Sequence, residues 1–238
     1  MIGIICAMQL EADGIIALAE NIEKEEIYGM TFSHGTLGGQ DVAVVVCGEG
    51  KVNAAMCATV LIDRYHPDAV INSGVAGALS PLVGIGDIVV GSKVVEHDMN
   101  MRPLGYKQGE VCLPGGTMTF FECDKAIATR LTAICKTLPN TRTAQGIIAS
   151  GDVFISDRAK RLRINTRFGA LACEMEGAAI GHVCYRCGVP FAVLRAISDD
   201  LDENKGVDFV KFCRTAAGKT VTVIVRFLES ISGGENRE

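Results

Sequence analysis

Short apolar runs and amphipathic stretches alternate along most of this chain, and their periods predict a succession of strands and helices. Residues 2–7 form a continuous apolar run, which predicts a buried strand. A helix is expected from about residue 9 to Ala19, placing Glu11 at a strand-to-helix junction. There the helix dipole favours a carboxylate, so capping alone would account for it. Tyr28–Thr36 and Gln40–Cys47 read as strands, with Leu37-Gly38-Gly39 as the turn between them. The glycine-rich stretch from Cys47 through Glu49 and Gly50 hands over to a helix, about Val52 to Tyr65, that His66-Pro67 stops. Such a loop can approach a ligand closely or accept an anion, although its spacing is not that of a Walker A loop. Ala69–Asn72 predicts a strand and the small residues 73–78, Ser-Gly-Val-Ala-Gly-Ala, a loop beyond it.

Asp87–Val94 is expected to be a further strand. Periodicity then fades over residues 97–120, which contain Pro103 and Pro114 and read as a long functional or interface loop. Lys125–Leu138 predicts an amphipathic helix, Thr143–Ser150 a strand, and Asp157–Phe168 an exposed helix. Asp208 is a candidate cap for a last helix, Phe209 to about Ser230. Residues 232–238 read as a frayed tail, leaving 1–231 as one domain. Strands alternating with helices give the α/β class.

The stretch from Ala172 to Asp200 is central. Glu174 and Glu176 stand where a strand hands over to a helix, and Ser198-Asp199 follow the apolar run Phe191–Ile197. A parallel strand-helix-strand unit would return both ends to one sheet edge. Ligands bind beyond such strand ends, so these four residues are expected to share a pocket. Paired carboxylates in a partly apolar cleft can have their proton affinities driven apart, giving an acid and a base.

Composition narrows the possibilities. Of 238 residues, 48% are hydrophobic and 21% charged, which suits a large core. The net charge of −5 and the scatter of Lys and Arg argue against a nucleic-acid partner. No apolar run is long enough to span a bilayer, and no signal peptide is evident, so a cytoplasmic location is expected. The ten cysteines lie mostly in apolar segments, as buried free thiols would. Cys184-Tyr-Arg-Cys187 is a lone C-x-x-C, and the four histidines have no ligand-like spacing. Neither a metal nor a cofactor is expected. No serine-histidine or cysteine-histidine pair suggests a covalent mechanism.

Several segments resemble the 5′-methylthioadenosine/S-adenosylhomocysteine nucleosidases of the purine nucleoside phosphorylase superfamily. They are Ile2-Gly-Ile-Ile-Cys-Ala-Met8 with Glu11, Gly48-x-Gly-Lys-Val-Asn-Ala-Ala55, Ile71-Asn-Ser-Gly-Val-Ala-Gly77, Val83-Gly-Ile-Gly-Asp-Ile-Val89, Ser150-Gly-Asp-x-Phe-Ile155, Glu174-Met-Glu-Gly-Ala-Ala179 and Arg195-Ala-Ile-Ser-Asp199. They span nearly the whole chain in register. The resemblance implies a central mixed twisted sheet, partly closed into a barrel and flanked by helices, in a homodimer. It implies hydrolysis of the N-glycosidic bond of a small nucleoside.

The same resemblance assigns roles. Asp199 would protonate N7 of adenine, held by Ser198. Phe154 would stack on the base and the Ile155 backbone would bond its edge, in a pocket walled by Val75, Ala76 and Gly77. Met175 and Glu176 would bind the ribose, with Glu174 supporting them from behind. Glu11 and Arg195 would position and deprotonate the attacking water. Met8 and Phe209 would line the ribose and 5′ side, and Tyr106, on the 97–120 loop, would enter the neighbouring subunit's site. Phosphorylases of the superfamily tend to carry an arginine and a serine where this chain has Asn72 and Val75, which favours water over phosphate as nucleophile. Glu49, Leu104 and Val75 depart from the family pattern, and Glu49 suggests a preference for a polar 5′ group. A phosphorylase and a non-catalytic nucleoside-binding protein are the alternatives.

Overall fold

The computed structural model describes residues 1–199 and 209–232, with side chains of the last helix from residue 213 onward. The chain starts as expected: β1 (Ile2–Cys6) leads into α1 (Gln9–Ile16). The next strand, β2 (Glu20–Ile27), was not foreseen. Its sequence, Glu-Asn-Ile-Glu-Lys-Glu-Glu-Ile, carries charge where an apolar run would be sought. It pairs only with β3 (Met30–Leu37) at the sheet edge, where charge guards against aggregation. Tyr28, expected in a strand, instead turns the hairpin with Gly29. Both have positive φ, 53° and 76°, the geometry of a tight two-residue connection.

β4 (Gln40–Val46) and α2 (Lys51–Tyr65) follow as expected. β5 spans Ala69–Ala78, so the small residues 73–78 are strand rather than loop. Every residue of β5 is buried, and small side chains are needed because the strand runs through the crowded interior. β6 (Ile88–Glu96) precedes the 97–120 region. That region is more ordered than expected: a short 3₁₀ turn (Arg102–Leu104) and a hairpin of β7 (Val111–Leu113) and β8 (Gly116–Met118) lie in it. β9 (Phe121–Glu122), α3 (Lys125–Cys135), β10 (Thr143–Ser150) and α4 (Arg158–Phe168) come next. β11 (Ala170–Glu174), α5 (Gly177–Cys187), β12 (Phe191–Asp199) and α6 (Phe209–Ser232) complete the chain. Asp208, the expected cap, and the tail after Ser232 lie outside the described residues.

The sheet order is β11-β10-β6-β12-β5-β1-β4-β3-β2, and β11 also pairs with β5. Five strands, β5, β6, β10, β11 and β12, thus close into a mixed barrel, and six α-helices flank the sheet among the described residues. Alternation builds two large cores, beside a smaller cluster that includes Leu79, Ile155 and Phe168. Along β1, Ile2, Ile4 and Cys6 pack with α1, α3 and α6, while Ile5 packs with α2 and α5. Both sheet faces are apolar because helices cover both.

The parallel strand-helix-strand unit expected over 172–200 is not what forms. β11 and β12 are not neighbours: β11 runs parallel to β10 and β10 to β6, but β6 runs antiparallel to β12. Glu174 and Asp199 nevertheless meet, because barrel closure crosses the carboxyl ends of β11 and β5 at Cys173 and Gly77, and Gly77 pairs with Asp199.

Candidate active site

A pocket of about 240 Å³ opens where the ends of β1, β5, β11 and β12 converge. One end is built around Arg195, which is 1% exposed. Its Nη2 donates to Glu174 and to the Asn72 Oδ1, and lies 3.5 Å from a Glu176 oxygen. Burying a guanidinium this deeply requires partners. Here the carboxylates of Glu174, Glu176 and Glu11 hold its proton affinity above the usual value despite burial, which acts the other way.

Glu11 is also 1% exposed. One oxygen accepts from the Ala7 and Met8 amides, both at 3.0 Å, and the other from the Val75 amide at 2.9 Å. The capping role is therefore real, since Met8 is the N-cap of α1. The Val75 bond adds what capping does not require: it pins the carboxylate between α1 and β5. Burial raises the pKa of Glu11, while Arg195 and the backbone donors pull it back. Gly74 makes the arrangement possible. A Cβ there would stand 2.6 Å from the Glu11 Oε1 and against Arg195 as well.

Glu176 follows β11. Its Oε1 accepts from the Gly50 amide at 2.9 Å, at the positive end of α2. Burial and then the Glu174 charge push its pKa up to about 7, with Arg195 opposing. Glu174 is tied differently. It accepts from the Ser150 hydroxyl and from the Glu176 and Gly177 amides at 3.1 and 2.8 Å. Ser150 in turn accepts from the Ala178 amide at 2.7 Å. Glu174 is thus the brace of Arg195 and of the turn that carries Glu176.

The other end of the pocket holds Asp199. Ser198 donates to its Oδ1 at 2.9 Å. Gly77 lets the backbone close on it, since a Cβ there would lie 2.9 Å from Oδ2. Arg161, which is 4% exposed, forms an ion pair with the same oxygen. Phe154 is 59% exposed and stands on the pocket wall with Ile155. A large aromatic so accessible at a pocket offers a face for stacking a planar ligand. Cys173 also lines the wall, but burial pushes its thiol up to about 12, which leaves it a poor nucleophile.

The pocket gathers nearly every residue expected on it. Met8, Glu49, Val75, Ala76, Gly77 and Met175 line it alongside the acidic and aromatic groups just described. Tyr106 does not. It lies with Arg102, Lys107 and Arg167 around a separate surface hollow. The side chain of Phe209 is outside the described residues. No group of His, Cys, Asp or Glu able to hold a metal occurs among the described residues. The C-x-x-C on α5 splits between a buried Cys184 and an exposed Cys187, and all ten cysteines are free. No helix among the described residues is long and apolar enough to cross a membrane.

Ser150 and Gly74 lie inside the motifs quoted above without a role there, and Arg161 lies outside them. Arg161 sits in the basic run Arg158-Ala-Lys-Arg-Leu-Arg, which reads as a solvated face. The available signal was its spacing of three and seven from Ile164 and Phe168, the helix positions that turn inward.

A closed mixed barrel with a carboxylate-lined pocket at its strand ends defines the class, and the family model described as the phosphorylase superfamily matches residues 1–229. The 5′-methylthioadenosine/S-adenosylhomocysteine nucleosidase of Shewanella sediminis is 36% identical over 97% of this chain and 99% of its own length. The S-adenosylhomocysteine nucleosidase of Streptococcus pyogenes, solved in complex with 5-methylthiotubericidin, superposes with a TM-score of 0.89 at 32% identity, covering 97% of this chain and 96% of that one. The Neisseria meningitidis 5′-methylthioadenosine/S-adenosylhomocysteine nucleosidase, in complex with methylthio-immucillin-A, gives 0.89 at 30% identity, covering 96% and 98%. Within the superfamily, the chain belongs to the 5′-methylthioadenosine/S-adenosylhomocysteine nucleosidase family.

Proposed function

We propose that the protein hydrolyses the N-glycosidic bond of 5′-substituted adenosines (methylthioadenosine, S-adenosylhomocysteine and 5′-deoxyadenosine) and releases adenine. The observation that carries this reading is the division of the pocket. Three buried carboxylates gather about one guanidinium at one end, and an aspartate and an exposed phenylalanine line the rest. Breaking the bond leaves positive charge on the sugar and negative charge on the purine. The carboxylate-rich end suits the sugar, and a general acid at N7 suits the leaving base.

In this reading Asp199 delivers a proton to N7, with Ser198 fixing its other oxygen. Phe154 stacks on the base. The Ile155 backbone bonds the base edge, and Arg161 steadies it by donating to the Ile155 carbonyl at 2.8 Å. Glu176 bonds the ribose hydroxyls beside Met175, and Glu11, held by three backbone amides, takes the proton of the attacking water with Arg195 alongside. A base of raised proton affinity is suited to that transfer near neutral pH. Met8 borders the 5′ side, and Glu49 on the pocket wall favours a polar 5′ substituent.

A homodimer fits the same reading. Tyr106 and Leu104, the latter 74% exposed, stand on the 97–120 segment, and in this reading they complete a neighbour's 5′ pocket. The free thiols are consistent with the cytoplasm, and adenine release from these nucleosides would serve methionine salvage. The test is adenine release from methylthioadenosine in phosphate-free buffer. Activity there, lost in Asp199→Asn, is expected. Strict dependence on phosphate would replace hydrolysis with phosphorolysis.

A further inference from the structure

Helix α4 carries Arg158, Lys160, Arg161, Arg163 and Arg167, and all but Arg161 are exposed. Arg161 points the other way, into the protein. Its Nε donates to the Ile155 carbonyl at 2.8 Å, Nη1 reaches the Ala78 carbonyl at 3.5 Å, and Nη2 binds Asp199. These acceptors belong to three separate segments: the 151–157 loop, the end of β5 and the end of β12. All three border the base end of the pocket. Two buried carbonyls could be satisfied by neutral donors, whereas a charged fork is costly to bury unless its charge is used. Among the described residues the charge meets the Asp199 carboxylate. Among the described residues, the other titratable groups facing that pair are the buried thiols of Cys173 on β11 and Cys213 on α6.

We propose that Arg161 is the positioning residue that aims Asp199 at the purine N7 and locks the acid to the loop carrying Phe154 and Ile155. This rests on the adenine-releasing reading above. A rigid planar fork holds three acceptors in fixed relation, so the acid and the base-binding loop share one anchor. Ser198 orients the second oxygen of Asp199 and also reaches the Ala76 carbonyl of β5 at 3.4 Å; Arg161 adds the link to the 151–157 loop.

The experiment compares the binding of adenine with that of 7-deazaadenine, in which C–H replaces N7, by titration calorimetry on the intact protein. The parent is expected to prefer adenine by roughly tenfold or more, the value of a hydrogen bond to a charged group. Asp199→Ala should abolish the preference. Arg161→Met should reduce it to near unity and lower kcat by roughly tenfold or more, with a smaller change in KM. Arg161→Lys restores a cation without the fork and should recover part of both, and it guards against a methionine variant that fails to fold. A merely structural role would weaken both ligands alike. The parental ratio surviving in Arg161→Met or, if that variant does not fold, a parental ratio and kcat in Arg161→Lys, would overturn the proposal. A ratio unchanged in Asp199→Ala would overturn the underlying reading of Asp199 instead.

Discussion

Replacing Glu176 by glutamine should stabilise the protein above pH 7 and leave it nearly unchanged below about pH 4.5. Burial, with the Glu174 charge second, raises the proton affinity of Glu176 from an ordinary 4.5 to about 7. Between those values the folded protein holds a proton that the unfolded chain has released. Stability therefore falls as pH rises through this window, and is fully reduced above the folded pKa. Each tenfold in proton affinity is worth about 1.4 kcal/mol, so holding the bare carboxylate at pH 8 costs on the order of 3 kcal/mol. Glutamine keeps an acceptor for the Gly50 amide and carries no charge to desolvate. For a chain of this size the gain corresponds to a Tm higher by roughly 6–12 °C at pH 8. Thermal unfolding followed by circular dichroism, for parent and variant from pH 4 to 8, reads it directly. Glu11 is raised in the same sense but is present in both proteins, so it drops out of the difference. A Tm difference that is flat across the range, or that turns against the variant at pH 8, would refute the reasoning.

Three other perturbations have definite outcomes. Gly74→Ala drives a methyl group into Glu11 and Arg195, so adenine release should fall roughly tenfold or more, with about 1–3 kcal/mol of stability lost to overpacking; steady-state kinetics and chemical denaturation read the two effects. Ser150→Ala leaves one Glu174 oxygen and the Ala178 amide without the hydroxyl they share, which should cost about 1–3 kcal/mol by denaturant unfolding. Glu49→Ile should raise the turnover of methylthioadenosine relative to adenosine, and equal ratios in variant and parent would remove the role given to Glu49.

Residues whose signal is local were legible from the sequence. Thr143–Ser150 is the strand it reads as, because an apolar run with turn residues beyond it has few other solutions. Glu11, Glu176, Arg195 and Asp199 were found through motifs that keep fixed positions relative to strand ends. What escaped depends on closure in space. β5 was cut short at Asn72 because a run of small residues looks like a loop; only inside a barrel do glycine and alanine become a strand that others can approach. β2 was missed because its stability comes from an edge pairing rather than an apolar face. Arg161 was missed because a helix rich in arginine hides the one that points inward. The crossover over 172–200 was misjudged in direction, since parallel return is the usual rule for such units and barrel closure overrides it here.

The two arginines divide the pocket electrostatically, and that division connects stability with chemistry. At the Asp199 end, among the described residues, one cation, Arg161, faces one carboxylate. At the sugar end Arg195 faces Glu174, Glu176 and Glu11, and the carboxylates outnumber it. A buried charge without full compensation is unstable: burial, with the Glu174 charge second, raises the proton affinity of Glu176, and burial raises that of Glu11. A sugar that becomes cationic as its bond to adenine breaks would supply the missing positive charge at that moment. The interaction is then stronger in the transition state than in the ground state, which is the condition for accelerating the reaction rather than merely binding substrate. The stability that Glu176→Gln should return is thus the cost of the same buried, desolvated carboxylate that hydrolysis would use, and the variant is expected to gain the one as it loses the other.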